Sequence, residues 1–395
     1  MAGDSPSVPG TGPPRRVVTW GLAFGSAVLT CLFLEFVGFR FLLPHLPLKV
    51  HVYLPREIRV LAQPSKRSAI PRDYIALVGD SYAYGYGEWL LETDSRFNRG
   101  FHSADVIHQA TGRDVVTFGA AGAGSLTGLV AAPIGRLRYL DASWLYSLAH
   151  PRVIVVYFYS GNDFNDNLKD LELRFHPNFP GKDVQDREVF RSFLTTVVLG
   201  RDPSWVEAES GLPPTRRLFF TRTLWRIWRQ AGGIPWVPSS PVTGGVNRVI
   251  VGGRTIAVPD LHSPGLQLGV EEIALATHVF EEGLLYLKRY FSNSAVRVVY
   301  IPSALECYQI ASPEIDIETY EGRRSRHRVE ELERRHRLAV TAVQNATERN
   351  GLAFVDATPY LKSASRSELV HGPKDWHHFN RAGYEALARA VLTVL

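Results

Sequence analysis

Five short apolar runs divide this chain, and helical patterns lie between most of them. The runs are DYIALVG at 73–79, RDVVTFG at 113–119, RVIVVYFY at 152–159, VRVVYIP at 296–302 and LAFVDAT at 352–358. Each is apolar along nearly its whole length rather than in alternation, as expected of a strand buried on both faces. The helical patterns cover 102–112, 269–291, 325–351, which stops on Gly351, and the closing NRAGYEALARAVLTVL. Strands alternating with helices argue for a parallel sheet in an α/β fold. With 395 residues, 45% of them hydrophobic and 21% charged, the chain can bury a large core.

The stretch 164–268 breaks the alternation and is too long for an ordinary connection, so it reads as an insertion. Within it, VIVGGRTIAV predicts a hairpin turning at Gly252-Gly253. RRLFFTRTLWRIWRQAGGIPW, at 216–236, is basic and aromatic together. It fits a membrane-surface or glycan-binding helix, or a helix that packs its aromatic face inward with arginines in solvent. The second reading is taken here. In the arginine-rich run 323–337, Glu330, Glu331 and Glu333 each precede Arg334, Arg335 and Arg337 by four residues. That spacing predicts an exposed helix face laced with ion pairs. There is no internal repeat.

The N-terminus is organised differently. Residues 1–16 are rich in Gly, Pro and Ser and read as a disordered tail ending in Arg15-Arg16. Val17–Leu34 then runs for 18 residues without a charge. At ~1.5 Å per residue this just spans a hydrocarbon core of ~30 Å. Residues 17–43 are therefore read as a single-pass membrane anchor rather than a buried helix. Trp20 sits near one interface and Glu35 and Arg40 near the other. No convincing cleavage site marks a signal peptide. The basic flanks nearly balance, and the domain after the anchor is placed outside the cytoplasm, periplasmic or extracellular. Residues 44–72, with five prolines, read as a juxtamembrane connector, and 73–395 as the folded domain.

Charge and cysteines set further limits. The net charge of +5 is spread along the chain and does not argue for a nucleic-acid partner. Cys31 and Cys307 are expected to stay unpaired. No His/Cys cluster has metal-ligand spacing, so no metal or other cofactor is expected.

In an open α/β sheet, ligands bind beyond the carboxyl ends of the strands. The first run ends in Gly79-Asp80-Ser81, the second in FGAAGAGS, the third in YSGNDFND. After the fifth comes KDWHHFNRAG. These are parts for acyl transfer: a serine hydroxyl, a histidine base, a carboxylate to orient it, and glycine-turn or asparagine N–H donors for an oxyanion. Asp80 is expected to brace the turn, and Gly119 and Gly124 to serve backbone geometry. Asp163 either orients Asn162 or caps a helix. Gly85 and Gly87 would keep the rim low, with Tyr82, Tyr84 and Tyr86 lining it.

The blocks GDSYAYGYG, the glycine turn, GND and DWHHFN, in that order, resemble the SGNH (GDSL-type) hydrolase superfamily. The resemblance implies a flavodoxin-like three-layer α/β/α sandwich with a five-stranded parallel sheet. It implies Ser81 as nucleophile, and Asp375 and His378 as its Asp-x-x-His partners, with His378 rather than His377 as the base. Ser81, Gly122 and Asn162 would form the oxyanion hole. Thr117 stands where the family often has Asn, and Tyr82 where it often has Leu. Neither the anchor nor 164–268 is covered. The reading that follows is a membrane-anchored serine esterase removing an acyl group, such as acetyl, from a hydroxyl of a carbohydrate or envelope polymer. An O-acyltransferase and a lipid esterase share the same machinery, and a non-catalytic glycan-binding protein is the rival without chemistry.

Overall fold

The structure, a computed structural model, describes residues 15–46, 48–51, 53–87, 102–229, 241, 244–318 and 324–395. Most of the tail read as disordered lies outside these residues, but Arg15 and Arg16 open the first helix. The five apolar runs form β1 (Tyr74–Val78), β2 (Asp114–Thr117), β3 (Val153–Tyr159), β4 (Ala295–Ile301) and β5 (Ala353–Asp356). All pairings are parallel, in the order β2-β1-β3-β4-β5. This is the flavodoxin-like order, and its switch point lies between β1 and β3. β1 and β3 are fully buried along their length. Alternate residues serve opposite cores: Tyr74, Ala76 and Val78 face one cluster, Ile75 and Leu77 the other.

Helices cover both faces. Ala132–Asp141 (α4), Val270–Tyr290 (α7) and the later part of Val329–Glu348 (α8) pack in the first cluster. Ser103–Thr111 (α3) and Arg381–Leu392 (α9) pack in the second. The remaining helices introduced below are α1 (Arg15–Phe33), α2 (Ser81–Tyr84), α5 (Asp163–Asp170) and α6 (Phe219–Arg229).

α1 continues through a π-helical turn to Leu42, and Thr19–His45 is long and apolar enough to cross a membrane. Most of its apolar side chains are exposed, whereas Glu35, Phe39 and Leu43 are buried against the domain. The stretch read as a connector is built into the core. Leu54, Ile58, Val60 and Leu61 are fully or nearly fully buried, and Ser65 O accepts the Val115 N–H at 2.9 Å beside β2. Prolines here shape a packed segment rather than a free linker.

The insertion holds the expected hairpin. Strands 247–251 and 254–258 pair antiparallel around Gly252 and Gly253, both left-handed at φ 58° and 70°, as a two-residue hairpin turn requires. Two expectations are corrected. Residues 324–328 form a strand against 314–318 instead of helix, because alternation of exposed arginine with half-buried Ser325 and His327 suits a sheet edge. The ion pairs foreseen for α8 are replaced by Arg334 with Glu331 and by Arg335 donating to Leu268 O. The aromatic helix α6 is also inverted. Trp225 and Trp228 face outward, while Arg222 donates to Tyr139 Oη and Arg226 to Leu54 O.

Candidate active site

Ser81 is the first residue of the one-turn helix α2, immediately beyond β1 at the switch point. Asp80 caps this helix: its Oδ1 accepts the Tyr82 N–H at 2.9 Å, satisfying one of the donors that a helix start leaves unpaired. The turn closes through Gly85, left-handed at φ 87°, whose N–H donates to Ser81 O at 2.9 Å. Ser81 is held at the sheet edge by backbone geometry, with its Oγ 3.3 Å from Asp80 Oδ2.

The histidine comes from the loop before α9. His378 Nδ1 lies 2.8 Å from Asp375 Oδ2, and Asp375 Oδ1 accepts the N–H groups of His377 and His378 at 2.9 and 3.2 Å. The Asp-x-x-His spacing thus produces a compact turn in which the carboxylate binds both ring and backbone. Burial would push the Asp375 carboxyl up, but the His378 hydrogen bond and charge outweigh it and hold it down to about 2. His377 is exposed. Two other carboxyls lie near the site and behave oppositely. Burial pushes Asp80 upward against the Tyr82 N–H and the charge of His378. Burial raises Asp163 well above the usual range, and the charge of Asp80 adds to it. Of these three carboxyls, Asp375, bonded to the imidazole, is the one held below its ordinary range.

Tyr82 joins the two halves. Its hydroxyl donates to His377 O at 2.9 Å, and its ring lies 5.5 Å from that of His378 and 4.8 Å from that of Phe379. It is fully buried, so it braces the site from beneath rather than lining a rim. Tyr86, 40% exposed with its ring 5.5 Å from His378, does face the opening. Gly85 and Gly87 are fixed by close packing: a Cβ would come within 2.6 Å of the His102 ring at the first and 2.7 Å of Phe379 O at the second. His102, whose Nε2 lies 3.1 Å from Tyr82 O, carried no sequence signal, because it gains meaning only from folding under α2.

The oxyanion candidates flank the serine. Gly119 lies against α2, where a Cβ would overlap the Tyr84 amide, and Gly124 lies against Asp166 of α5. The glycine turn is therefore clamped at both ends, with Gly122 exposed between them and left-handed at φ 67°. Asn162 is the N-cap residue of α5 at the end of β3, and its Nδ2 donates to Asp166 Oδ2 at 3.1 Å. Asp163 takes neither role foreseen for it. Its Oδ2 accepts the Tyr159 N–H at 2.9 Å and so fixes the strand end that presents Asn162. Ser81, Asp375, His378, Gly122 and Asn162 all lie on the carboxyl edge of the sheet. A separate cavity of about 620 Å³, lined by Tyr308, His336, Lys362 and Arg366, lies further along that edge and includes none of them. Among the described residues no cluster of His, Cys, Asp and Glu could hold a metal ion.

No family model matches this chain, and no curated protein sequence does. Several solved structures are similar. A carbohydrate esterase family 2 enzyme with a carbohydrate-binding domain, from Corynascus thermopiles (Myceliophthora fergusii), aligns at 12% identity and TM-score 0.33 over 83% of this chain and 67% of its own. The acetyl xylan esterase Est2A of Butyrivibrio proteoclasticus aligns at 10% and 0.35, over 84% of this chain and 64% of its own. A carbohydrate acetylesterase family member from Sinorhizobium meliloti aligns at 12% and 0.29, over 82% and 97%. The chain thus spans about two thirds of the first two. Superpositions this loose carry no argument about chemistry, and the fold assignment rests on strand order.

Proposed function

We propose that this chain is a serine ester hydrolase, tethered to a membrane by α1, that removes an acyl group such as acetyl from a carbohydrate or envelope-polymer hydroxyl outside the cytoplasm. The observation that carries the hydrolase reading is the Asp375–His378 pair on a loop bonded through Tyr82 to the helix that begins with Ser81. The carboxylate on Nδ1 selects the tautomer that leaves Nε2 as the proton acceptor.

In the reaction, the Ser81 hydroxyl leaves Asp80 and gives its proton to His378 Nε2 as Oγ attacks the ester carbonyl. The carbonyl oxygen becomes an oxyanion, for which the Ser81 and Gly122 N–H groups and Asn162 Nδ2 are the donors. The C–O bond breaks, and the departing hydroxyl oxygen takes the proton from His378. Water, giving a proton to the same imidazole, then attacks the acyl carbon; the bond to Ser81 Oγ breaks, Oγ takes that proton back from His378, and the free acid leaves. The carbohydrate substrate is supported by the sequence resemblance and the apolar helix together.

The test uses the full chain in detergent micelles. A chain begun near residue 50 would lose Phe39 and Leu43 from the core. Hydrolysis of p-nitrophenyl acetate should fall about 10³-fold or more in Ser81→Ala and in His378→Ala, with unchanged circular dichroism. Activity retained in both would refute the site. Acyl transfer to an added oligosaccharide at the expense of hydrolysis would identify a transferase built on the same residues.

A further inference from the structure

We infer that α6 is a second membrane contact, which lies in the lipid interface beside α1 and fixes the domain's orientation on the bilayer. The inference rests on the reading of α1 as an anchor. Its first support is the inverted helix. Leu224, Trp225, Ile227 and Trp228 are 46%, 51%, 37% and 78% exposed. Thr221, Leu224, Trp225 and Trp228 follow the i, i+3, i+4, i+7 spacing of a single helical stripe. On the inner side, Phe219 and Thr223 are buried, and Arg222 and Arg226 bond to Tyr139 Oη and Leu54 O. A helix in water would present the opposite arrangement.

The second support is position. Glu35, 3% exposed, accepts the Phe220 and Thr221 N–H groups at 3.0 and 2.8 Å and the Thr221 hydroxyl at 2.8 Å. The Phe39 and Phe220 rings pack 5.4 Å apart. Glu35 directly follows the uncharged run 17–34. At ~1.5 Å per residue that run extends ~27 Å, so its end lies at the membrane–water boundary. The start of α6 is locked at that same level. Trp is the side chain favoured at this depth, because its ring is apolar and its N–H polar. Arg229, stacked 5.1 Å over Trp225, adds a cation beside the headgroups. The occupant of this face is therefore a phospholipid bilayer.

The full chain, in a Cys31→Ser background, would be reconstituted into phosphatidylcholine vesicles containing phosphatidylglycerol. Nitroxides would be placed singly at Trp225→Cys, Trp228→Cys and Leu29→Cys, since Cys307 is buried and does not react. Oxygen, which partitions into lipid, should relax the label at 225, 228 and 29 several-fold more than a water-soluble nickel chelate does. Nickel dominance at 225 and 228 with oxygen dominance at 29 would overturn the inference and leave the anchor standing. Nickel dominance at all three would overturn both.

Discussion

Asp375 makes the testable electrostatic statement at the scale of single residues. Its carboxyl is held down to about 2 in the folded chain, against about 3.9 in an unfolded one. The folded state therefore binds fewer protons, and the pair contributes about 2 kcal/mol above pH 5 that fades as pH falls through about 2. Asp375→Asn should lower Tm most near pH 5, and the gap to wild type should close towards pH 2. Thermal melts across that range check the sign. The same variant presents the wrong hydrogen-bonding group to Nδ1, and kcat on p-nitrophenyl acetate should fall about 10²- to 10⁴-fold.

Between elements, the site is an agreement of α2 with the loop before α9, and Tyr82 carries it. Its bond to His377 O spans 295 positions in sequence. Tyr82→Phe keeps the ring contacts with Phe379 and His378 but removes that bond. We expect about 1 kcal/mol of lost stability, and a kcat lowered about 3- to 10-fold with little change in KM. A drop in KM-controlled binding instead would show that the tyrosine acts on substrate rather than on the loop. The glycine turn belongs to the same scale. Gly119 allows β2 to end against α2, and so sets where Gly122 can stand.

Over the whole molecule, Glu35 couples the apolar helix to the domain. Glu35→Ala removes an acceptor from three donors at the start of α6, at a cost of about 1–3 kcal/mol to that contact. Amide exchange at Phe220 and Thr221 should quicken about tenfold or more, while hydrolysis of a small soluble ester is unchanged. An equal loss of ester hydrolysis would place α6 in communication with the candidate site at the sheet edge. The packing of Leu54, Ile58, Val60 and Leu61 makes the segment after the helix part of the domain, so the coupling is mechanical and not through a loose tether.

The five strands were legible in sequence to within about two residues, because burial on both faces leaves an uninterrupted apolar signature. The hairpin was legible because two adjacent left-handed positions admit few residues besides glycine. Ser81, Asn162, Asp375 and His378 could be picked out as candidates because each stands in a short, local pattern beyond a strand end. Tertiary structure alone decided the strand order, the inversion of α6 and the roles of Tyr82, His102, Asp163 and Glu35. Each of those depends on which distant surface a side chain meets. A local pattern states how apolar a face is, but not whether protein or lipid will cover it.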